Sequence, residues 1–330
     1  MLLIVVAAFG VMLASALRLL VSNVDGGLIL AWPGDPTILS IRLWSAIASG
    51  LVGGSLAASG VLLQSVMRNP LAGPSLLGMT AGAALGVAIA TYITFLYSGT
   101  IVMHRAPVVA AVIGALASLG IVVLLASWRG GLDPVSVVLI GLVISVLCGA
   151  LILLVQHLLP DGGLAFAQRW TMGSITQERA WGLAAGVGGL LVVSLVFGMW
   201  LGPSLDAASM SDDEARSVGV ELGRLRLACL LIAGLLTAGS VALAGPIGFV
   251  GLICPHIARS IAGPSHRTLI VLSTLLGVSM LVLGESLVAA IRLPGGRLPV
   301  GVVMALVGGP AFLILLRKGF ASGFDSWGRA

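Results

Sequence analysis

"LLQSVMRNPLAGPSLLG", Leu62 to Gly78, decides how the rest of the chain is read. Apolar residues lead in and apolar residues follow, but Arg68-Asn69-Pro70-Leu71-Ala72 stands between them. Such a polar, proline-containing interruption fits a turn at the edge of a membrane, between two helices that lie in it.

Composition extends this reading to all 330 residues. Hydrophobic residues make up 58% of the chain and charged residues 9%, whereas soluble domains carry about 25% charged residues. Apolar runs near the spanning length recur at roughly 1–22, 41–65, 76–97, 106–127, 135–159, 181–201, 226–246, 248–262, 268–291 and 300–317. The sequence therefore predicts an all-α polytopic membrane protein with about ten transmembrane helices, folded as one domain over 1–330. The eighth segment is too short to cross a ~30 Å core upright. It lies between Gly245-Pro246 and Gly263-Pro264, so a tilted or recessed helix shielded by protein is expected.

Basic residues orient the spans. With both termini cytoplasmic, the inner side takes Arg68, Arg129, Arg216, Arg224, Arg226, Arg259, Arg267, Arg317, Lys318 and Arg329 of the seventeen Lys and Arg. The charges are scattered and lack interleaved aromatics, so nucleic acid is not an indicated partner. The N-terminal segment carries "ASA" at 14–16 but no basic n-region, and is read as an uncleaved first span. Cys148, Cys229 and Cys254 read as small buried hydrophobes.

Small residues mark the helix contacts. Gly78, Gly82 and Gly86 share one helix face, and Gly50 with Gly54 repeats the spacing; in lipid such residues let backbones approach. The segments 57–86 and 237–262 share a loose pattern of small residues, a proline-containing break and a further helix. Their breaks fall on opposite sides, as in an inverted repeat.

Several chemistries are excluded. A Walker loop needs a lysine after a Gly-rich turn, and the only lysine is Lys318 at the end of the last span. His104, His157, His256 and His266 are dispersed and no HExxH occurs, so neither a metal nor any other cofactor is expected. "GxS" fragments lack a base and orienter. Glu285 in "MLVLGESLVAAIRL" is an intramembrane acid and so a functional suspect. Arg292, two turns on along the same face, points to an interfacial ion pair or a polar interhelical contact. The alternative is a proton relay, which would make the chain a proton-coupled secondary transporter.

The loop 201–225, most of "GPSLDAASMSDDEARSVGVELGRLRL" (202–227), carries Asp206, Asp212, Asp213, Glu214 and Glu221. Ser211-x-x-Glu214 is a capping box with acids in the first turn, where the helix dipole favours them. A short helix stopped at Gly219 should start there, too short to stand alone. Its Ala215 and Val218 form a small apolar face suited to docking a soluble partner.

"GVLLQSVMRNPLAGPSLLGMTAGAALG" (60–86), "WTMGSI" (170–175), "DEARSVGVELGRLR" (213–226), "AGPIGFVGLICPHIARSIAGPSHR" (244–267) and "LPVGVVMALVGGPAFLILLRK" (298–318) closely resemble the FecCD-type permeases of bacterial ATP-driven importers. The resemblance implies a type II ABC importer permease fold and carriage of a metal chelate: ferric siderophore, haem or cobalamin. It implies a bacterial inner-membrane permease without an ATP site of its own. Its partners would be a second permease subunit, identical or not, two cytoplasmic ATP-binding subunits and a periplasmic substrate-binding protein. Arg68 to Ala72 would be a helix break at the cytoplasmic edge. Asp213, Glu214, Ala215, Val218 and Gly219 would meet the ATP-binding subunit, and Arg42 and Arg292 the binding protein.

Four positions depart from the family pattern. Ser45 stands where a second external arginine is usual, Glu285 where an Asp is, and Arg297, also a docking candidate, where an acid precedes "LPVG"; Trp44 replaces a proline. These changes imply an outer surface fitted to an unusual binding protein or a more anionic cargo.

Overall fold

The computed structural model describes residues 2–24, 27–99, 106–129, 132–159, 164, 167–168, 170–175, 179–291 and 296–321. Its elements in chain order are α1 (Leu2–Leu20), β1 (Val21–Val24), β2 (Gly27–Leu30), α2 (Pro36–Met67), α3 (Met79–Ser98), α4 (Ala106–Ala126) and α5 (Pro134–His157). There follow α6 (Trp181–Trp200), the short α7 (Gly202–Ala208) and α8 (Asp212–Ser217), then α9 (Leu222–Ala244), α10 (Val250–Ala262), α11 (His266–Ala290) and α12 (Val300–Ala321). Each of the ten expected apolar segments is a helix. Eight are long and apolar enough to cross a membrane, while Val250–Ala262 and Val300–Leu315 are shorter apolar stretches.

Local chemistry sets the ends. Asp35 caps α2 by accepting the Thr37 N–H at 2.7 Å, with Pro36 at the first helical position. The helix therefore starts five residues before the expected 41 and runs for 32 residues, longer than the ~20 a crossing needs. The first span stops at Leu20, where residues 21–22, expected to be helical, instead open an antiparallel hairpin, Val21 facing Leu30.

Burial places α2 at the centre. Its most apolar window is 83% buried, against 17% for α1 and 22% for α5, whose remaining surface is left for lipid. α2 packs antiparallel on α11, where a Cβ at Gly53 would overlap the Gly277 carbonyl, and it also meets α10, where Gly60 lies against the Gly251 backbone. α3 and α4 pair through Gly82, Gly86 and Gly114, while Gly78 rests on Ile144 and Gly141 of α5. Gly82 and Gly86 thus form the expected packing face, whereas Gly78 is the left-handed N-cap of α3, at φ 80°, and does not share it. Gly50 and Gly54 touch only side chains of α6 and α11; the closest contacts on α2 are at Gly53 and Gly60, which spacing had not singled out.

Polar residues join the same helices. Ser59 of α2 donates to the Ala233 carbonyl and meets Thr237 of α9, both at 3.2 Å, and Gln64 donates to the Gly251 and Leu252 carbonyls of α10 at 3.4 Å. Buried hydroxyls and amides need partners where water is absent.

Alternating helix directions give the bundle two ends. One, the hairpin end, holds β1–β2, the start of α2, residues 170–175 and the ends of α9 and α11. The other, the α8 end, holds the break at 68–78, α7, α8 and the start of α9. The break after α9 (245–249) lies at the hairpin end, opposite the break after α2. α10 has only 13 residues, roughly 20 Å at 1.5 Å per residue, so it begins recessed below that surface. Pro246 and Ile247 line the recess against Gly173.

Candidate functional site

At the α8 end the Arg-Asn-Pro break is held by its own arginine. Arg68 ends α2 in the left-handed region, φ 46°, a costly conformation for a side chain other than glycine. Its side chain explains the choice. Nε donates to the Ala208 carbonyl, the last of α7, at 2.7 Å, and Nη2 lies 2.6 Å from Asp212 Oδ1. Asn69 Oδ1 accepts the Leu71 N–H at 2.9 Å and the Asn69 carbonyl accepts from Ala72, closing the turn over Pro70. Ala72 is buried and Leu71 exposed.

α8 starts where the capping box places it. Ser211 Oγ accepts the Glu214 N–H at 3.1 Å. The return contact differs from the usual box: Glu214 Oε2 accepts from the Ser211 hydroxyl at 2.8 Å. Gly219, at φ 82°, ends the helix, and the Val220 N–H returns to the Ala215 carbonyl at 2.9 Å. Asp213, Glu214, Val218 and Gly219 are exposed, but Ala215 is fully buried among Leu205, Ala208 and Leu222. Ala215 therefore anchors α8 to the bundle and does not belong to the outward apolar face expected of it. A six-residue helix cannot hold itself in water, so one side must be buried.

Two further contacts to acids at this end, one from an arginine and one from a histidine, were not among the expected site residues. Arg226 of α9 donates to Asp212 Oδ1 at 2.9 Å and to the Leu132 carbonyl at 3.0 Å. Asp206 of α7 accepts the His266 N–H at 2.9 Å and faces its Nδ1 at 2.6 Å, capping α11. Beside α8, a cleft of about 910 Å³ is lined by Trp128, Asp133, Asp212, Arg216 and Arg226 among others.

At the hairpin end a second polar cluster is enclosed. Glu285 is 2% exposed, Ser45 3% and Arg18 4%. Ser45 accepts from Arg18 Nε at 3.2 Å and donates to Glu285 Oε1 at 2.7 Å; Arg297 pairs with the same carboxylate oxygen. Glu285 also forms one wall of a cavity of about 200 Å³ with Ser174, Ile175, Gly296 and Arg297. The expected partner Arg292 lies outside the described residues, and Arg297 and Arg18 take that role. A lone arginine near the end of an apolar first span, "ALRLL", was the sequence signal for Arg18.

The docking candidates are tied to the chain itself. Arg42 donates to the Leu19 carbonyl, and to the Ala31 carbonyl at 3.2 Å, joining α2 to the end of α1 and the hairpin. Arg297, 35% exposed, keeps a surface toward solvent while holding Glu285. Trp44 is buried edge-on against Trp181, centroids 5.1 Å apart. Of the four positions expected to depart from the family pattern, 45, 285 and 297 form one contact cluster, with Trp44 next in sequence to Ser45.

Comparison with known proteins agrees with this architecture. The FecCD transport family model matches residues 2–318. The hemin transport system permease HmuU of Yersinia pestis is 33% identical over 85% of this chain and 83% of its own length. The Fe(3+) dicitrate transport system permease FecC of Escherichia coli is 32% identical over 86% and 84%. A solved ABC transporter assigned to the metal-chelate type, in an inward-facing conformation, superposes with a TM-score of 0.82 at 27% identity, covering 96% of this chain and 98% of that one. A family match across nearly the whole chain, on a helical bundle with the same fold, leads to one conclusion: this multi-pass membrane permease belongs to the FecCD transport family.

Proposed function

We propose that the chain is the membrane subunit of an ATP-driven importer that carries a metal chelate, such as haem, a ferric siderophore or cobalamin, from periplasm to cytoplasm. In this reading the protein sits in a bacterial inner membrane with both termini cytoplasmic and the α8 end inward. It pairs with a second permease subunit, and two cytoplasmic ATP-binding subunits meet α8. A periplasmic binding protein docks on the hairpin end, where Arg42, Arg292 and Arg297 are its candidate contacts. The relatives named for hemin and ferric dicitrate transport support the cargo class. The permease does no covalent chemistry: docking and nucleotide-driven closure bias two helix arrangements, outward and inward open.

One observation carries the coupling part of this reading. α8 presents Asp213, Glu214, Val218 and Gly219 outward while its opposite side is anchored by Ala215. That is a compact, acidic docking knob on an otherwise apolar protein. Glu285, by contrast, is engaged by Ser45 and Arg297, which supports a structural role over a proton relay.

The test is purification of the tagged chain from its native membranes in mild detergent, with ATPase activity measured on the eluate. A stoichiometric ATP-binding subunit that is lost, or whose hydrolysis is uncoupled from uptake, in Glu214→Arg is the expected result. A lone chain without ATPase activity would overturn the importer reading.

A further inference from the structure

We propose that Asp212 is the positioning residue through which motion of α8 reaches the membrane helices, an inference that rests on the importer reading. Its Oδ1 meets Arg68 Nη2 at 2.6 Å and Arg226 Nη2 at 2.9 Å. Arg68 terminates α2, the most buried span, and also holds the end of α7 through the Ala208 carbonyl. Arg226 lies in the first turns of α9 and donates as well to the Leu132 carbonyl, ahead of α5. One carboxylate oxygen therefore ties the docking helix to two central spans and to the α4–α5 connection.

The other attachments of α8 are of a different kind. Ala215 is held by apolar packing, which resists separation but has no preferred direction. Asp212 instead accepts a charge-assisted hydrogen bond from Arg226, which is directional, and forms an ion pair with Arg68 on the same oxygen. Asp213 and Glu214 are exposed on the solvent side of α8. Arg68 sits at φ 46°, a conformation for which glycine is the easier choice. Glycine could not reach both Ala208 and Asp212, so the strained backbone and the two side-chain contacts have a common explanation. Asp212 itself is 36% exposed and borders the 910 Å³ cleft, which leaves α8 room to tilt without burying a new charge. A push on α8 is then carried to the ends of α2 and α9 as long as Asp212 holds both arginines.

The test uses the complex co-purified with its ATP-binding subunits and returned to liposomes. The native cysteines are buried, so Leu71→Cys, on the exposed side of the break, supplies a site for a membrane-impermeant maleimide. With Asp212 intact, ATP plus vanadate changes the labelling rate by at least about fivefold, the low end of ordinary coupling between sites. With Asp212→Asn the complex assembles and hydrolyses ATP, but labelling no longer follows nucleotide; Asp212→Glu restores the response. Arg68→Gln, which leaves Arg226 to hold the acid, also loses it. Labelling in Asp212→Asn or Arg68→Gln that follows nucleotide as in the parent overturns the proposal. So does failure of Asp212→Asn to retain the ATP-binding subunit, since the acid would then serve docking. A parent complex whose labelling ignores nucleotide overturns the importer reading itself.

Discussion

Ser45 and Glu285 are 240 residues apart in the chain, and their side chains meet at 2.7 Å between α2 and α11. The serine relays a hydrogen bond from Arg18, so three helices converge on one buried carboxylate. Arg297 closes the cluster from the segment that leads into α12. An arginine and an acid buried at this depth are costly apart and tolerable together.

Removing the acid should therefore cost more than removing the outer cation. Glu285→Ala leaves Arg18 buried without its countercharge and is expected to destabilise the fold by about 3–5 kcal/mol. Arg297→Gln removes a half-exposed partner and should cost about 1 kcal/mol or less. Thermal unfolding in detergent ranks the two variants. An equal or reversed ranking would show that Arg297, rather than the enclosed Arg18, depends on the carboxylate.

Close helix approach makes a second prediction. A Cβ at Gly53 overlaps the Gly277 carbonyl, whereas one at Gly149 of α5 meets nothing within 4 Å. Gly53→Ala should cost about 1–3 kcal/mol as α2 and α11 are pushed apart. Gly149→Ala should be neutral, or stabilising by about 0.5–1 kcal/mol through helix propensity. Unfolding midpoints of the two single variants decide it.

Capping of α8 can be separated from its charge. Ser211→Ala removes the acceptor for the Glu214 N–H and should cost about 1 kcal/mol locally. Hydrogen exchange over 212–218 should rise while the spans stay protected. If docking needs the helix formed, ATPase-coupled uptake falls severalfold in the same variant. Ser211→Asp, another good cap, should restore both.

The start of α5 should respond to pH. Asp133 accepts the Ser136 N–H and hydroxyl, each at 2.8 Å, and these bonds hold its carboxyl below the usual carboxylate range. A depressed folded pKa means the contribution is complete above the ordinary aspartate value and is lost as pH falls through the lower, folded one. The protection of the Val137 to Leu139 amides, taken relative to intrinsic exchange at each pH, should fall on acidification through that window. Asp133→Asn keeps a cap without the titrating charge, and its exchange should show no such acid-induced opening.

The sequence by itself determined the spans, the breaks and the capping of α8. Hydropathy locates ten helices because lipid demands apolar residues and internally bonded backbone at every position of a crossing. Ser211-x-x-Glu214, Gly219 and the Asn69-Pro70 break were legible for a similar reason: capping and turn chemistry act within four residues. Gly82 and Gly86 were legible as a packing face, but their partner helix was not. Only the tertiary structure decided that Ala215 turns inward, that Arg42 binds the end of α1, and that Glu285 takes Arg18 and Arg297 as partners. It alone brought Arg68, Asp212 and Arg226 to one point. These choices depend on which helices become neighbours and at what rotation, and a single chain's apolar pattern is too uniform around each membrane helix to specify either.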